Sequence, residues 1–242
     1  MDATAPAYLM TMPLHAITEV LGEQGLRDRF RLEIERLPDD DRAVLEQALE
    51  LAARLHAEQR RVREPYLNHL LRVTIRIIHY YRITDRDVLV AALLHDSVED
   101  QPWGITGQPH RGGPPPRDQA LAVLAERFGP RVASLVAAVT NPEYDLDRDK
   151  DEQYRTHVVE SLDVDPWARV IKVSDFTDNG VGVIHTIGPK VRRAATKYSP
   201  LVPALRELVA RPDTPLLGEV KAHIFAQFDL AEQRFQAILG TN

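Results

Sequence analysis

Cysteine is absent from this chain of 242 residues, which excludes a disulfide scaffold, a thiolate zinc site and a cysteine nucleophile. No apolar run approaches the ~18 residues that a bilayer span requires. The start, Met1-Asp2-Ala3-Thr4, lacks the basic opening of a secretory signal. Positive charge is also in short supply. Thirty Lys+Arg stand against 36 Asp+Glu, a formal net charge of −6, which disfavours a broad basic surface for nucleic acid. Together these absences lead us to expect a cytoplasmic protein with neither nucleic-acid nor membrane partners. Nothing in the sequence sets the oligomeric state.

Apolar residues make up 44% of the chain and charged residues 27%, the balance of an ordinary globular protein able to bury a sizeable core. Strand-type alternation over more than four residues is scarce, whereas apolar spacing near 3.6 residues recurs. Val44, Ala48, Leu51 and Leu55 form one stripe after the acidic start Asp39-Asp40-Asp41. Leu70, Val73 and Ile77 mark a helix after Pro65. A third helix is expected from Asp85 to Asp100, with Val90–Leu94 apolar on several sides. Residues 101–117 hold five of the 17 prolines and four of the 12 glycines, which reads as a long loop. Helices are expected over 118–128 and 130–140, and a polar loop over 141–150. Asp165-Pro166 gives a cap followed by proline at the first helical position, so a helix should cover 166–179. Helices at about 190–210 and 216–239 complete one all-α domain spanning 1–242.

The chemistry concentrates where apolar helices turn abruptly acidic. In Ala91-Ala92-Leu93-Leu94-His95-Asp96-Ser97-Val98-Glu99-Asp100, a buried run ends in four polar groups. Buried carboxylates need a partner or a cation. At helical spacing His95 shares a face with Glu99, and Asp96 with Asp100. That suits a metal held by His95 and Asp96, with Glu99 and Asp100 in reach of a bound water. A solvated helix end is the plainer alternative. His69, in Pro65-Tyr66-Leu67-Asn68-His69, is the best further histidine. His56 and His79 fit core or surface positions better. A second acid on an apolar helix is Asp175, in Val170-Ile171-Lys172-Val173-Ser174-Asp175-Phe176-Thr177-Asp178-Asn179, with Asn179 on its face; an exposed helix end with a stop signal is the alternative there. His69, His95, Asp96 and Asp175 would make a mixed nitrogen and oxygen site suited to Mn²⁺, Fe²⁺ or Zn²⁺ rather than Ca²⁺.

In this order the motifs resemble an HD-domain phosphohydrolase, and within that group the hydrolase domain of RelA/SpoT-type enzymes and their small stand-alone relatives. The series runs His56…Gln59, Pro65-Tyr66…His69…Arg72-Val73, His95-Asp96…Glu99-Asp100, Arg127-Phe128-Gly129, Val139-Thr140 and Ile171-Lys172…Asp175…Asn179. It covers about residues 45–200. The resemblance implies an HD-type helical bundle holding one Mn²⁺ through His69, His95, Asp96 and Asp175. It implies hydrolytic removal of the 3′-pyrophosphate from guanosine tetra- or pentaphosphate, a stringent-response activity. Glu99 and Asp100 match the family's acid pair, and Asn179 would hold the ribose or order the site. Arg60 and Arg61 would meet phosphate or base. Lys172 falls in the same motif as Asp175, and Lys190 and Arg193 lie where the family's basic residues approach phosphates. A solvated basic face is the alternative for that last pair.

The sequence also departs from the family. Arg60-Arg61-Val62-Arg63-Glu64 lacks the glycine usual before Pro-Tyr, and Asp175-Phe176-Thr177-Asp178-Asn179 lacks an arginine usual after the acid. These departures keep a second expectation open, an HD phosphohydrolase acting on another nucleotide or phosphoester. A third is a non-catalytic metal-binding helical module. The remaining residues leave no room for a synthetase domain, so degradation alone is expected.

Overall fold

The computed structural model describes residues 6–109 and 113–240. Among them all regular structure is helical, apart from an isolated bridge between Arg60 and Pro65. No described helix is long and apolar enough to cross a membrane. Two compact units divide the chain between Ser134 and Leu135.

The first unit opens with a 3-10 turn, Ala7–Thr11, then α1 (Leu14–Ile34), α2 (Asp39–Leu55), α3 (Leu67–His79) and α4 (Arg86–Leu94). Short helices α5 (Ser97–Asp100) and α6 (Pro102–Thr106) precede α7 (Arg117–Phe128). The boundary falls within α8 (Pro130–Val139). Helix α3 packs on α1 and α4, and α2 packs on α4. Every residue of α4 from Val88 to Leu94 is buried, as expected for a helix that is apolar all round. Its start is fixed by Asp85, whose carboxylate accepts from the backbone N–H groups of Asp87 and Val88 at 3.1 and 3.3 Å.

The second unit holds α9 (Lys150–Val164), α10 (Pro166–Asn179), α11 (Pro189–Tyr198), α12 (Val202–Ala210) and α13 (Gly218–Gly240). Asp165 caps α10 as its sequence predicts, accepting from Trp167 N–H at 2.9 Å and Ala168 N–H at 3.2 Å. Phe176 packs edge-on against Phe228 and Phe235 of α13. Buried Arg169 donates to Asp213 and Thr214, tying the start of α10 to the turn before α13.

Several expectations need correction. The helix expected over 85–100 is two, because His95 and Asp96 lie between α4 and α5. Asp96 sits at φ −94°, ψ −6°, in the sparsely populated bridge region that many active-site residues occupy. The expected loop 101–117 contains α6, since Pro102 needs no N–H partner at a first helical position and Gly107 ends the turn at φ 68°. Residues 110–112 of that loop lie outside the described residues. The stripe on α2 is shifted, with Leu45, Ala48, Leu49, Leu51 and Ala52 buried. The segment expected over 190–210 is α11 and α12, separated by a 3-10 turn at Ser199–Leu201. Helices α1 and α9 are additions to the sequence reading. Gly22, at φ 64° and ψ −152°, breaks the periodicity of α1.

Candidate metal centre

In the first unit three groups converge at the end of α4. His69 projects from the first turn of α3, where every residue from Leu67 to Ile78 is buried. His95 follows α4 directly. Both imidazoles are buried, and their rings stand 5.3 Å apart at 65°. Their Nε2 atoms both face one oxygen of Asp96, with His69 Nε2 at 3.6 Å and His95 Nε2 at 3.2 Å from Oδ2. His95 Nδ1 lies 2.8 Å from the Ala92 carbonyl, which accepts its proton and fixes the ring with Nε2 turned toward Asp96.

These separations fit a divalent ion. Ligands bound at about 2.1 Å stand roughly 3.0–3.4 Å from one another. Nitrogen and carboxylate donors with no thiolate suit a first-row divalent metal.

Electrostatics support the same centre. Burial alone would raise the Asp96 carboxyl, but the His95 charge and hydrogen bonds from both histidines hold it well below the usual carboxylate range. Tyr66 Oη donates to Asp96 Oδ2 at 2.6 Å. Burial, and then the Asp96 charge, push the Tyr66 phenol upward, so it remains a donor. The Tyr66 ring stacks on His56 at 5.0 Å and meets His69 edge-on at 5.8 Å. Arg61 lies over the same ring at 5.3 Å, whereas Arg60 is exposed.

Glu99 and Asp100 close this unit's polar cluster on α5. Glu99 is half-buried and Asp100 exposed. Although the residue as a whole is exposed, neighbouring side chains partly desolvate its carboxyl; that, with the Asp96 charge next, raises Asp100 to about 6, against a hydrogen bond from Gln59 that opposes the shift. A carboxyl near neutrality can take and return protons under physiological conditions.

In the second unit Asp175 is buried in α10. Lys172 Nζ approaches its Oδ2 at 3.0 Å, and Asn179 Nδ2 donates to its Oδ1 at 2.5 Å. Lys172 is itself buried and also lies 5.6 Å from the Tyr154 ring centre. Lys190 and Arg193 are exposed on α11. Lys197 sits 3.9 Å from the same Tyr154 centre.

The family comparison matches this centre: the HD domain family covers residues 48–160, which include His69, His95, Asp96, Glu99 and Asp100. Residues 48–160 are thus similar to HD domains. The HD domain is an all-helical fold, as the structure is, and the family implies a divalent metal.

Among proteins similar to this chain is the guanosine-3′,5′-bis(diphosphate) 3′-pyrophosphohydrolase MESH1 of Drosophila melanogaster. It is 33% identical over 136 residues, covering 55% of this chain and 65% of the relative. Human MESH1 is 35% identical over the same shares. The Aquifex aeolicus enzyme of the same activity name is 30% identical over 161 residues, 66% of this chain but 20% of the relative. The chain thus spans less than two thirds of each of these relatives. A solved structure described as a metazoan ortholog of SpoT that hydrolyzes ppGpp aligns with TM-score 0.54 and 27% identity. That alignment covers 78% of this chain and 97% of the other.

The sequence reading singled out His69, His95, Asp96, Glu99 and Asp100, and the first unit brings these together. It gave Tyr66, His56 and Gln59 no role. The signal was present, since Tyr66 lies three residues before His69 and His56 and Gln59 follow at the end of α2.

Proposed function

We propose that this protein is a Mn²⁺-dependent cytoplasmic phosphohydrolase that removes the 3′-pyrophosphate of guanosine tetra- or pentaphosphate. The observation that carries this reading is the convergence of His69 and His95 Nε2 on Asp96 Oδ2 within the HD match. The naming of the relatives supports the substrate. His69, His95 and Asp96 would hold the ion, and Asp175 is the further ligand that the sequence resemblance implies. When bound, it supplies a Lewis acid for a phosphoryl oxygen and lowers the pKa of bound water.

The chain's own residues do the rest. Glu99 and Asp100 orient the attacking water and take its proton. Tyr66 holds the free rotation of Asp96 in check. Lys172 and Asn179 bracket Asp175, which supports an ordering role for both in addition to any contact with substrate. Arg60 and Arg61 border the loop that carries Tyr66, where a guanidinium can stack on a base or pair with phosphate. Lys190 and Arg193 offer exposed positive charge for the remaining phosphates. Water adds to the 3′-linked phosphorus as the acid pair takes its proton, the bond to the ribose oxygen breaks, that oxygen receives a proton back from the acid pair, and pyrophosphate leaves.

The second reading, another nucleotide as substrate, is favoured by the sequence Asp175-Phe176-Thr177-Asp178-Asn179, where a hydrophobic ring occupies the position of the family's arginine. Phe176 packs into the aromatic cluster of its unit. Pyrophosphate release from guanosine tetraphosphate, measured with Mn²⁺ beside a panel of nucleotides and phosphoesters, decides between them. Turnover of guanosine tetraphosphate supports the first reading. Turnover confined to other substrates replaces it with the second.

A further inference from the structure

Behind Asp100 lies a directed chain of polar side chains. His56 is buried at the end of α2. Its Nδ1 lies 2.6 Å from Gln59 Oε1, and its Nε2 lies 3.3 Å from Ser97 Oγ. Gln59 Nε2 donates to Asp100 Oδ2 at 2.7 Å. A carboxamide oxygen has no proton to give, so the His56 proton belongs on Nδ1. Nε2 is then an acceptor, and the Ser97 hydroxyl donates to it. Burial lowers the pKa of His56, which agrees with the neutral ring that this arrangement needs. Gln101 Nε2 reaches the same Gln59 oxygen at 3.3 Å, consistent with that orientation of the amide.

Donation therefore runs one way, from Ser97 to His56 to Gln59 to Asp100. It ends on a carboxylate, which can only accept. Asp100 is exposed on a helix of four residues, and an exposed aspartate samples several rotamers. Gln59 reaches it from a different part of the chain, 41 residues away.

We infer that Gln59 is a positioning residue which, backed by His56, fixes the Asp100 carboxylate in one rotamer as the acceptor of the attacking water's proton. This inference rests on the phosphohydrolase reading above and extends it to residues outside the metal-ligand and acid-pair motifs. A tether that only joined α2 to α5 would serve stability, and would not act through the Asp100 oxygens.

The test is a double-mutant cycle read as kcat and KM separately, with bound metal and thermal midpoint measured on every variant. Gln59→Leu should lower kcat about 10-fold, in line with other outer-shell partners, with KM and metal content unchanged and the thermal midpoint lowered, because the buried His56 N–H loses its acceptor. In an Asp100→Asn background the same substitution should cost nothing further, because its target is already gone. Equal losses in both backgrounds, or a loss confined to KM or metal content, would overturn the inference. In metal-free protein the Gln59 side-chain amide resonance should shift on Asp100→Ala and on His56→Ala. A resonance indifferent to both also overturns it, whatever the activity. Wild-type protein inactive on every nucleotide tested sinks the phosphohydrolase reading and this inference together. An active wild type with a fully active Gln59→Leu sinks this inference alone.

Discussion

The Tyr66 hydroxyl donates to Asp96 Oδ2 at 2.6 Å, the same oxygen that the Nε2 atoms of His69 and His95 face. Tyr66 therefore sets the rotation of a carboxylate on which the whole cluster is centred. Tyr66→Phe keeps the ring on His56 and removes only this donor. Mn²⁺ affinity should fall about 10-fold, as read by competition with a chelating dye, while the thermal midpoint of metal-free protein changes little.

His95→Ala and Asp96→Ala each delete a proposed ligand. Purified from manganese-supplemented medium, both should carry no stoichiometric metal by elemental analysis. Metal content equal to wild type in both would remove the ligand assignment.

Glu99→Gln keeps the size of the side chain and abolishes its basicity. Turnover should fall by about 100-fold, the lower range for loss of a positioned acid or base, with metal retained. Full activity would take Glu99 out of the reaction.

Asp85 gives a dependence of stability on pH. Burial raises its carboxyl, but hydrogen bonds from Arg131 and from the Val88 and Asp87 N–H groups bring the net value below the ordinary 3.8. A depressed folded value means that the stabilisation is complete above the unfolded pKa and is lost as pH falls through the lower, folded one. Asp85→Ala should cost about 1 kcal/mol at pH 7, a typical helix-cap loss. The gap to wild type should close in acid, below the ordinary carboxylate range. Denaturant titrations at several pH values measure it, and a gap independent of pH would refute the assignment.

Buried Arg72 makes two bonds to the Glu64 carboxylate, at 2.7 and 2.8 Å. Arg72→Leu removes the guanidinium from that carboxylate, yet Glu64 is partly solvated. The expected loss is about 2 kcal/mol, below the ~3–5 of a fully buried pair. Because Glu64 also accepts from Asn68, next to His69, Mn²⁺ affinity should weaken alongside stability.

Much of this was legible in the sequence where local chemistry and tertiary packing agree. Asp165-Pro166 announces α10 because a cap and a first-turn proline act within four residues. The apolar block Val90–Leu94 announces burial because nothing else accommodates it. His95 and Asp96 stand out because polar groups after such a run need a partner. The break between them is different. Residue type does not encode it, for both side chains are tolerated in a helix. Tyr66 and Gln59 stand in the motif series, but their roles are not encoded locally, since their partners lie 30 and 41 residues along the chain and spacing rules extend only a turn or two. Helix α9 was missed despite a clear signal, the Asp149 carboxylate accepting from Glu152 N–H at 2.7 Å.

Helix α4 also works as a ruler. His95 follows its last residue without a spacer, so each added or deleted residue would turn the imidazole by about 100° and move it ~1.5 Å along the axis. Its apolar side chains can be exchanged for others of like volume, but its length cannot drift. In redesign or in divergent descent, α4 should accept new letters and refuse insertions.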